Sequence, residues 1–211
     1  MSGKTSTHVA GHAAAIYLGN KAKGLPPVFF QIRIHEDFRL GNAFGYTEHS
    51  HRFYYPKLEG GRLIDNLPLS LTDVQANMTA DQKQAYRQAF EADVVNLLAG
   101  PIAEAKYVAI SDDEAISPRL IDLQALQNYN GKTEIEIVHQ YFECINEQDE
   151  EKEKLIINLY LAAFAFVNDR ANWLAVTALA NHISATEKTI IGYEEIVSLL
   201  ESAYTQKMLV H

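Results

Sequence analysis

Two histidines stand four residues apart near the start of this chain, in the run His8-Val9-Ala10-Gly11-His12. On a helix, side chains at i and i+4 leave from one face, so both imidazoles can turn a ring nitrogen toward one metal ion. Two nitrogens make an incomplete site, and a third ligand must come from elsewhere in the fold. A second histidine group, His35, His49 and His51, has no helical ligand spacing and reads as ordinary strand and loop residues. Tyr46, Phe53, Tyr54 and Tyr55 form an aromatic patch in the same region, suited to core or interface. Cys144 is the sole cysteine, so no internal disulfide exists, and its apolar helical context marks it as a packing residue. Gly3-Lys4-Thr5 imitates the end of a P-loop but lacks the strand and glycine-rich turn that would make it one. No serine or cysteine triad is readable from local sequence.

The elements that must position these residues follow from periodicity. Val9, Ala13, Ile16 and Tyr17 recur at helical spacing, predicting a helix over Thr7–Asn20 with Thr7 as its N-cap. Gly24, Pro26 and Pro27 stop it. From Val28 to His35, apolar and polar residues alternate as in a half-buried strand, and Arg52–Leu58 and Arg62–Leu67 read as further extended segments around Gly60-Gly61. From Thr79 the chain reads as helical to its end. Thr79 with Gln82 and Thr133 with Glu136 have capping-box spacing. Gly100-Pro101 should break or kink the first of these helices, with others near Ser117–Asn128, Thr133–Glu147, Glu150–Val167, Arg170–Ser184 and Tyr193–Tyr204. Asp149-Glu150-Glu151 suits a solvated helix start. The stripes place Leu97, Leu98, Leu159, Phe164 and Leu179 in the core, with Trp173 at its margin. The fold class expected is mainly α (α+β): one domain over residues 1–211, with a small β-ribbon between the first two long helices.

Three segments together resemble the peptidase domain of FtsH-type zinc proteases. Thr7-His8-Val9-Ala10-Gly11-His12-Ala13 is similar to that family's His-Glu-Ala-Gly-His helix. Leu97-Leu98-Ala99-Gly100-Pro101-Ile102-Ala103-Glu104 resembles its Leu-x-Gly-Gly-x-Ala-Ala-Glu helix, and Asp122-Leu123 resembles the Asp-Leu that carries its acidic zinc ligand. The resemblance implies a zincin-like helical bundle, zinc held by His8, His12 and Asp122, and a strand beside the metal helix that pairs with an extended peptide. Val28, Phe30, Ile32 and Ile34 would line that edge. Asp112, Asp113 and Glu114 are rival acids, because the stretch from Glu104 to Asp122 is longer than usual for the family.

The departures are as informative. Where the family has a glutamate between its histidines, this chain has Val9, which cannot carry a proton. General acid–base assistance typically accounts for about 10²–10⁴ in rate. No ATPase module and no membrane segment is visible: the longest apolar run, Leu155–Val167, is shorter than the ~18 residues a span requires. The N-terminal residues contain no apolar signal region, so a cytoplasmic protein is expected. A net charge of −9 disfavours a broad nucleic-acid footprint, and the resemblance implies peptides or proteins as partners. These readings predict a zinc-peptidase-like protein with an impaired or lost catalytic step. Two alternatives stand beside it: an active peptidase drawing a base from Glu36 or Glu48, and a metal-free interaction module.

Overall fold

A computed structural model describes residues 2–39, 51–145 and 148–206. The chain is mainly helical, with α1 (Gly3–Ala14) continued by a π-helical turn (Ala15–Gly19) and α2 (Asn20–Ala22). Then come β1 (Phe30–Arg39), β2 (His51–Gly60), a short α3 (Leu71–Gln75) and the long α4 (Ala80–Ser111). A 3₁₀ turn (Ala125–Tyr129), α5 (Lys132–Glu143), α6 (Asp149–Asn168), α7 (Arg170–Ala185), β3 (Ile190–Ile191) and α8 (Tyr193–Gln206) complete it. No helix among the described residues is long and apolar enough to cross a membrane.

Helix α1 is buried on nearly all sides, packed between α4 and α7. It begins earlier than its periodicity predicted. Ser2 precedes its first turn, and Thr7, expected as the cap, lies inside the helix with its hydroxyl donating to the Gly3 carbonyl at 2.8 Å. Local hydroxyl-to-backbone bonding of this kind is available within a helix as well as at its start. The capping box of Thr79 and Gln82 forms at the head of α4, whereas Thr133 and Glu136 form none: α5 starts one residue earlier, after Gly131.

Proline 101 does not break α4, which runs unbroken for 32 residues. An interior proline costs about 3 kcal/mol in an isolated helix. Here Phe90, Val94, Leu98, Ile102 and Ala105 are all buried on either side of it, and that packing holds the helix through the defect. The helix expected over Ser117–Asn128 is absent, replaced by turns and the 3₁₀ segment. Arg62–Leu67 is likewise not a strand, since the Leu63 and Ile64 amides bond to the Asp93 side chain.

The sheet has the order β2-β1-β3, both pairings antiparallel. Strand β1 is therefore central and not the open edge that the resemblance assigned to Val28, Phe30, Ile32 and Ile34. Ile32 and Arg33 pair with Ile191 and Ile190, and the Ile34 amide donates to the Thr189 carbonyl. Phe30 and Ile32 are wholly buried, Val28 and Ile34 partly so. Strand β2 ends at Gly60, and Gly60 and Gly61 both have positive φ, a backbone conformation that favours glycine. In the core, Leu98, Leu159, Phe164 and Leu179 are buried, while Leu97 is only half-buried. Trp173 lies at the margin beneath the Lys106 ammonium, 4.5 Å from the ring centroid.

Candidate metal centre

Helices α1, α4 and α5 meet around His8 and His12. Both imidazoles point from one face of α1, with ring centroids 4.9 Å apart. His8 Nδ1 lies 3.0 Å from Glu104 of α4, and His12 Nδ1 lies 2.8 Å from the Asn96 carbonyl of the same helix. A carbonyl can only accept, so His12 carries its proton on Nδ1. An ionised carboxylate imposes the same on His8. The two Nε2 atoms consequently face each other, 3.1 Å apart, with lone pairs directed at common ground.

A carboxylate completes the group, and it is Glu134 in the first turn of α5. Its Oε1 lies 3.4 Å from His8 Nε2 and 3.6 Å from His12 Nε2. Its Oε2 is buried with no hydrogen-bond partner among the described residues. Three basic atoms so close in a buried setting repel one another unless a cation or a proton sits among them. Protonation of His8 would be the second solution. Burial alone would lower its pKa, but hydrogen bonds and charge from Glu104 and Glu134 overcome that and raise it to about 9. Burial would raise the two carboxyls, yet the imidazoles hold both below the usual carboxylate range, with Asn130 adding to the effect at Glu104.

The surroundings are built to fix this geometry. Gly100 is the residue over which the His12 ring lies: a Cβ there would fall 2.2 Å from Nε2. Asn130, in left-handed backbone with φ 54°, closes the 3₁₀ turn and donates from its amide to both Glu104 oxygens, at 2.7 and 3.0 Å. Glu104 is thus held for His8 as a carboxylate orienting an imidazole, the usual outer partner of a metal-ligating histidine. The Asn96 amide donates to Asn20, tying α4 to the end of the first helical run.

Asp122 is not in this cluster. It is exposed, and its Oδ1 accepts the Ala125 amide at 2.8 Å, so it caps the 3₁₀ turn. The segment's failure to form a helix accounts for the difference, because it leaves Asp122 at a turn start. Glu134 lies beside the two imidazoles instead. Among the described residues, His8, His12 and Glu134 make up the group whose ligand atoms lie within 4.8 Å of one another. Asp112, Asp113 and Glu114 are exposed at the end of α4. One signal for Glu134 was available: it shares a stripe with Val138 and Tyr141, four and seven residues on, and an acid in line with buried residues needs a partner.

A cleft of about 430 Å³ opens onto the centre, walled by α1, α4, the start of α5 and the Pro56–Arg62 stretch. Val9 is buried beside the histidines and faces this cleft. Glu36 is not on its wall; it is exposed on the ribbon and accepts from the Tyr54 hydroxyl at 3.3 Å. Glu48, His49 and Tyr46 lie outside the described residues. His35 stacks on Tyr55 at 5.2 Å, and Phe53, Tyr54 and Tyr55 are exposed on the ribbon. Cys144 is buried with its thiol donating to the Pro68 carbonyl at 2.7 Å, and burial pushes its pKa up, the reverse of a nucleophile's environment.

Compared with protein family models, curated proteins and solved structures, the chain matches none.

Proposed function

We propose that this protein is a zinc-binding, peptidase-like protein in which His8, His12 and Glu134 hold the metal and Val9 removes the proton-transfer step. The observation that carries the reading is a triangle. His8 Nε2, His12 Nε2 and Glu134 Oε1 are separated by 3.1, 3.4 and 3.6 Å. Tetrahedral zinc with bonds of about 2.0–2.1 Å has ligands about 3.3 Å apart, so the three atoms sit near one face of that tetrahedron with the fourth position left for water or a ligand. The Nδ1 bonds to Glu104 and Asn96 supply the tautomer that zinc requires. Bound there, zinc would polarise a carbonyl or acidify a water.

Among the described residues, the cleft wall offers no uncommitted carboxylate to act as a base. The carboxylates on the cleft wall are Asp93 and Glu134. Asp93 is committed to the Leu63 and Ile64 amides and the Tyr141 hydroxyl, and Glu134 to the metal position. Strand β2, at the sheet edge and on the cleft wall, is suited to hold an extended peptide by main-chain bonding, the role first expected of β1. The reading is therefore a protein that binds a peptide or protein segment over a metal and turns it over slowly or not at all.

Val9→Glu tests it. A carboxylate one residue from His8 restores a proton carrier at the position the resemblance implies, and peptide hydrolysis should rise by about 10² or more. Val9 is 5% exposed, so the variant should also lose stability. Zinc content by elemental analysis, melting temperature and turnover of an unstructured protein substrate are measured on both forms. A folded, zinc-loaded Val9→Glu protein without a gain would place the defect outside this position. Absence of zinc from the purified, metal-supplemented wild type would end the metal reading and leave an interaction module.

A further inference from the structure

The cleft wall is cationic at one place. Arg62, just past the end of β2, is half-buried and lines the cleft, yet it makes no hydrogen bond or ion pair with any described residue. Its charge acts on buried Asp93 and lowers the carboxyl's pKa against the larger upward effect of burial. It makes no direct bond there; Leu63 N donates to one Asp93 oxygen, and Ile64 N and the Tyr141 hydroxyl to the other, at 2.9 Å each. A guanidinium presents five donors in a planar fork matched to a carboxylate, so a half-buried one with none engaged is an incomplete pair. Lys57 of β2, exposed on the same cleft, also lacks an ion-pair partner among the described residues.

The two side-chain amides nearby are spoken for. Asn130 is committed to Glu104 and Asn96 to Asn20. The acid on the opposite wall, Glu134, belongs to the histidine group. Negative charge thus lies at Glu134, with the imidazoles, and at buried Asp93, while positive charge lies along the end of β2. A ligand running between them would meet a cation with an open fork on a chain whose net charge is otherwise −9.

We infer that the cleft selects peptides carrying a carboxylate, which Arg62 receives as a bidentate partner with Lys57 adding charge at the mouth. This rests on the reading of the cleft as a peptide site. The carboxylate can be an acidic side chain or a chain terminus, and the two are separable. Wild-type protein is titrated with acetylated hexapeptides of alanine and leucine in three forms: glutamate at position three with an amidated end, glutamine at that position with an amidated end, and glutamine with a free terminal carboxylate. Binding is followed by calorimetry in zinc-supplemented and in chelator-treated protein.

Either carboxylate form should bind about 10-fold tighter than the neutral peptide, and the stronger arm identifies the source. Arg62→Gln should abolish the preference and Arg62→Lys restore part of it, with melting temperature reporting that each variant is folded. Equal binding of all three peptides, no binding of any, or a preference that survives Arg62→Gln overturns the inference. Loss of the metal reading shows up separately, as zinc content unaffected by His8→Ala, while the Arg62 preference is still read in chelator-treated protein.

Discussion

Asp93 and Glu134 are two buried or part-buried carboxylates on the wall of one cleft, and they are used in opposite ways. Asp93 is satisfied by neutral donors: two backbone amides and a phenol, all at 2.9 Å. Burial dominates its titration and holds its pKa up, while Tyr141, buried and next to the same charge, is pushed well above the ordinary tyrosine range. Glu134 has one oxygen against two imidazole nitrogens and the other with no partner, and its pKa is held far down. The first arrangement closes a loop onto a helix and needs nothing more. The second is open, and an open buried valence is where a ligand belongs.

The largest effect should come from breaking the open arrangement. Glu134→Gln is expected to weaken zinc binding by about 100-fold or more, because an amide oxygen is a poor substitute for a charged ligand. Asp122→Asn should leave affinity unchanged within about threefold. Competition titration against a chromophoric chelator gives both constants on the same scale. Reversal of the two results would return the third-ligand role to Asp122.

Asp93→Ala should do the converse, costing stability and sparing metal. Removing the side chain leaves the Leu63 and Ile64 amides and the Tyr141 hydroxyl without their acceptor, at about 1–3 kcal/mol for each group that water cannot reach. A total of about 3 kcal/mol in urea unfolding is expected, with zinc affinity in the folded protein within about threefold of wild type. A large loss of zinc affinity in folded Asp93→Ala protein would show that the two carboxylates are one system.

The contrast also explains what was legible in the sequence. Local patterns served well for helices: α6, α7 and α8 begin and end within about two residues of their expected bounds, because amphipathic stripes, the acidic first turns of α6 and α8 and the Asp169 cap of α7 are local properties. His8 and His12 were readable for the same reason, being one turn apart. Glu134 required knowing which helix comes to rest against α1, and the dipeptide Asp122-Leu123 supplied a closer imitation in sequence than in space. The same limit hid the central position of β1, whose second neighbour is a two-residue strand more than 150 positions away. Pro101 misled in the other direction, because its local penalty is outweighed by packing contributed by other elements. Arg62 carried no local signal, since a lone arginine after a glycine pair is ordinary until its neighbours are known.

The smallest expected effect is a pH dependence that changes sign with metal. In chelator-treated protein, the His8 pKa rises from about 6.5 unfolded to about 9 folded. The folded state therefore holds a proton that the unfolded chain gives up. Its stabilisation is fully present below about pH 6.5, declines between 6.5 and 9, and is gone above. Glu104 and Glu134 act at the other end: their folded pKa values are depressed, so their contribution is present above the ordinary carboxylate range and is lost as pH falls. Metal-free stability should peak between the two windows and fall on the alkaline side by on the order of 1–3 kcal/mol. On the proposed reading zinc should invert this alkaline limb, because metal and proton would compete for the same His8 nitrogen and affinity would climb as the proton leaves. Melting temperatures from pH 5 to 10, with chelator and with zinc, would show the curves diverging above pH 6.5. Glu134→Gln should flatten the chelator curve, since it removes part of what holds the proton, whereas Asp93→Ala should lower that curve and keep its alkaline slope. A wild-type curve already flat between pH 6.5 and 9 would mean that His8 carries no such proton, and the case that three basic atoms crowd one point would lose its thermodynamic support.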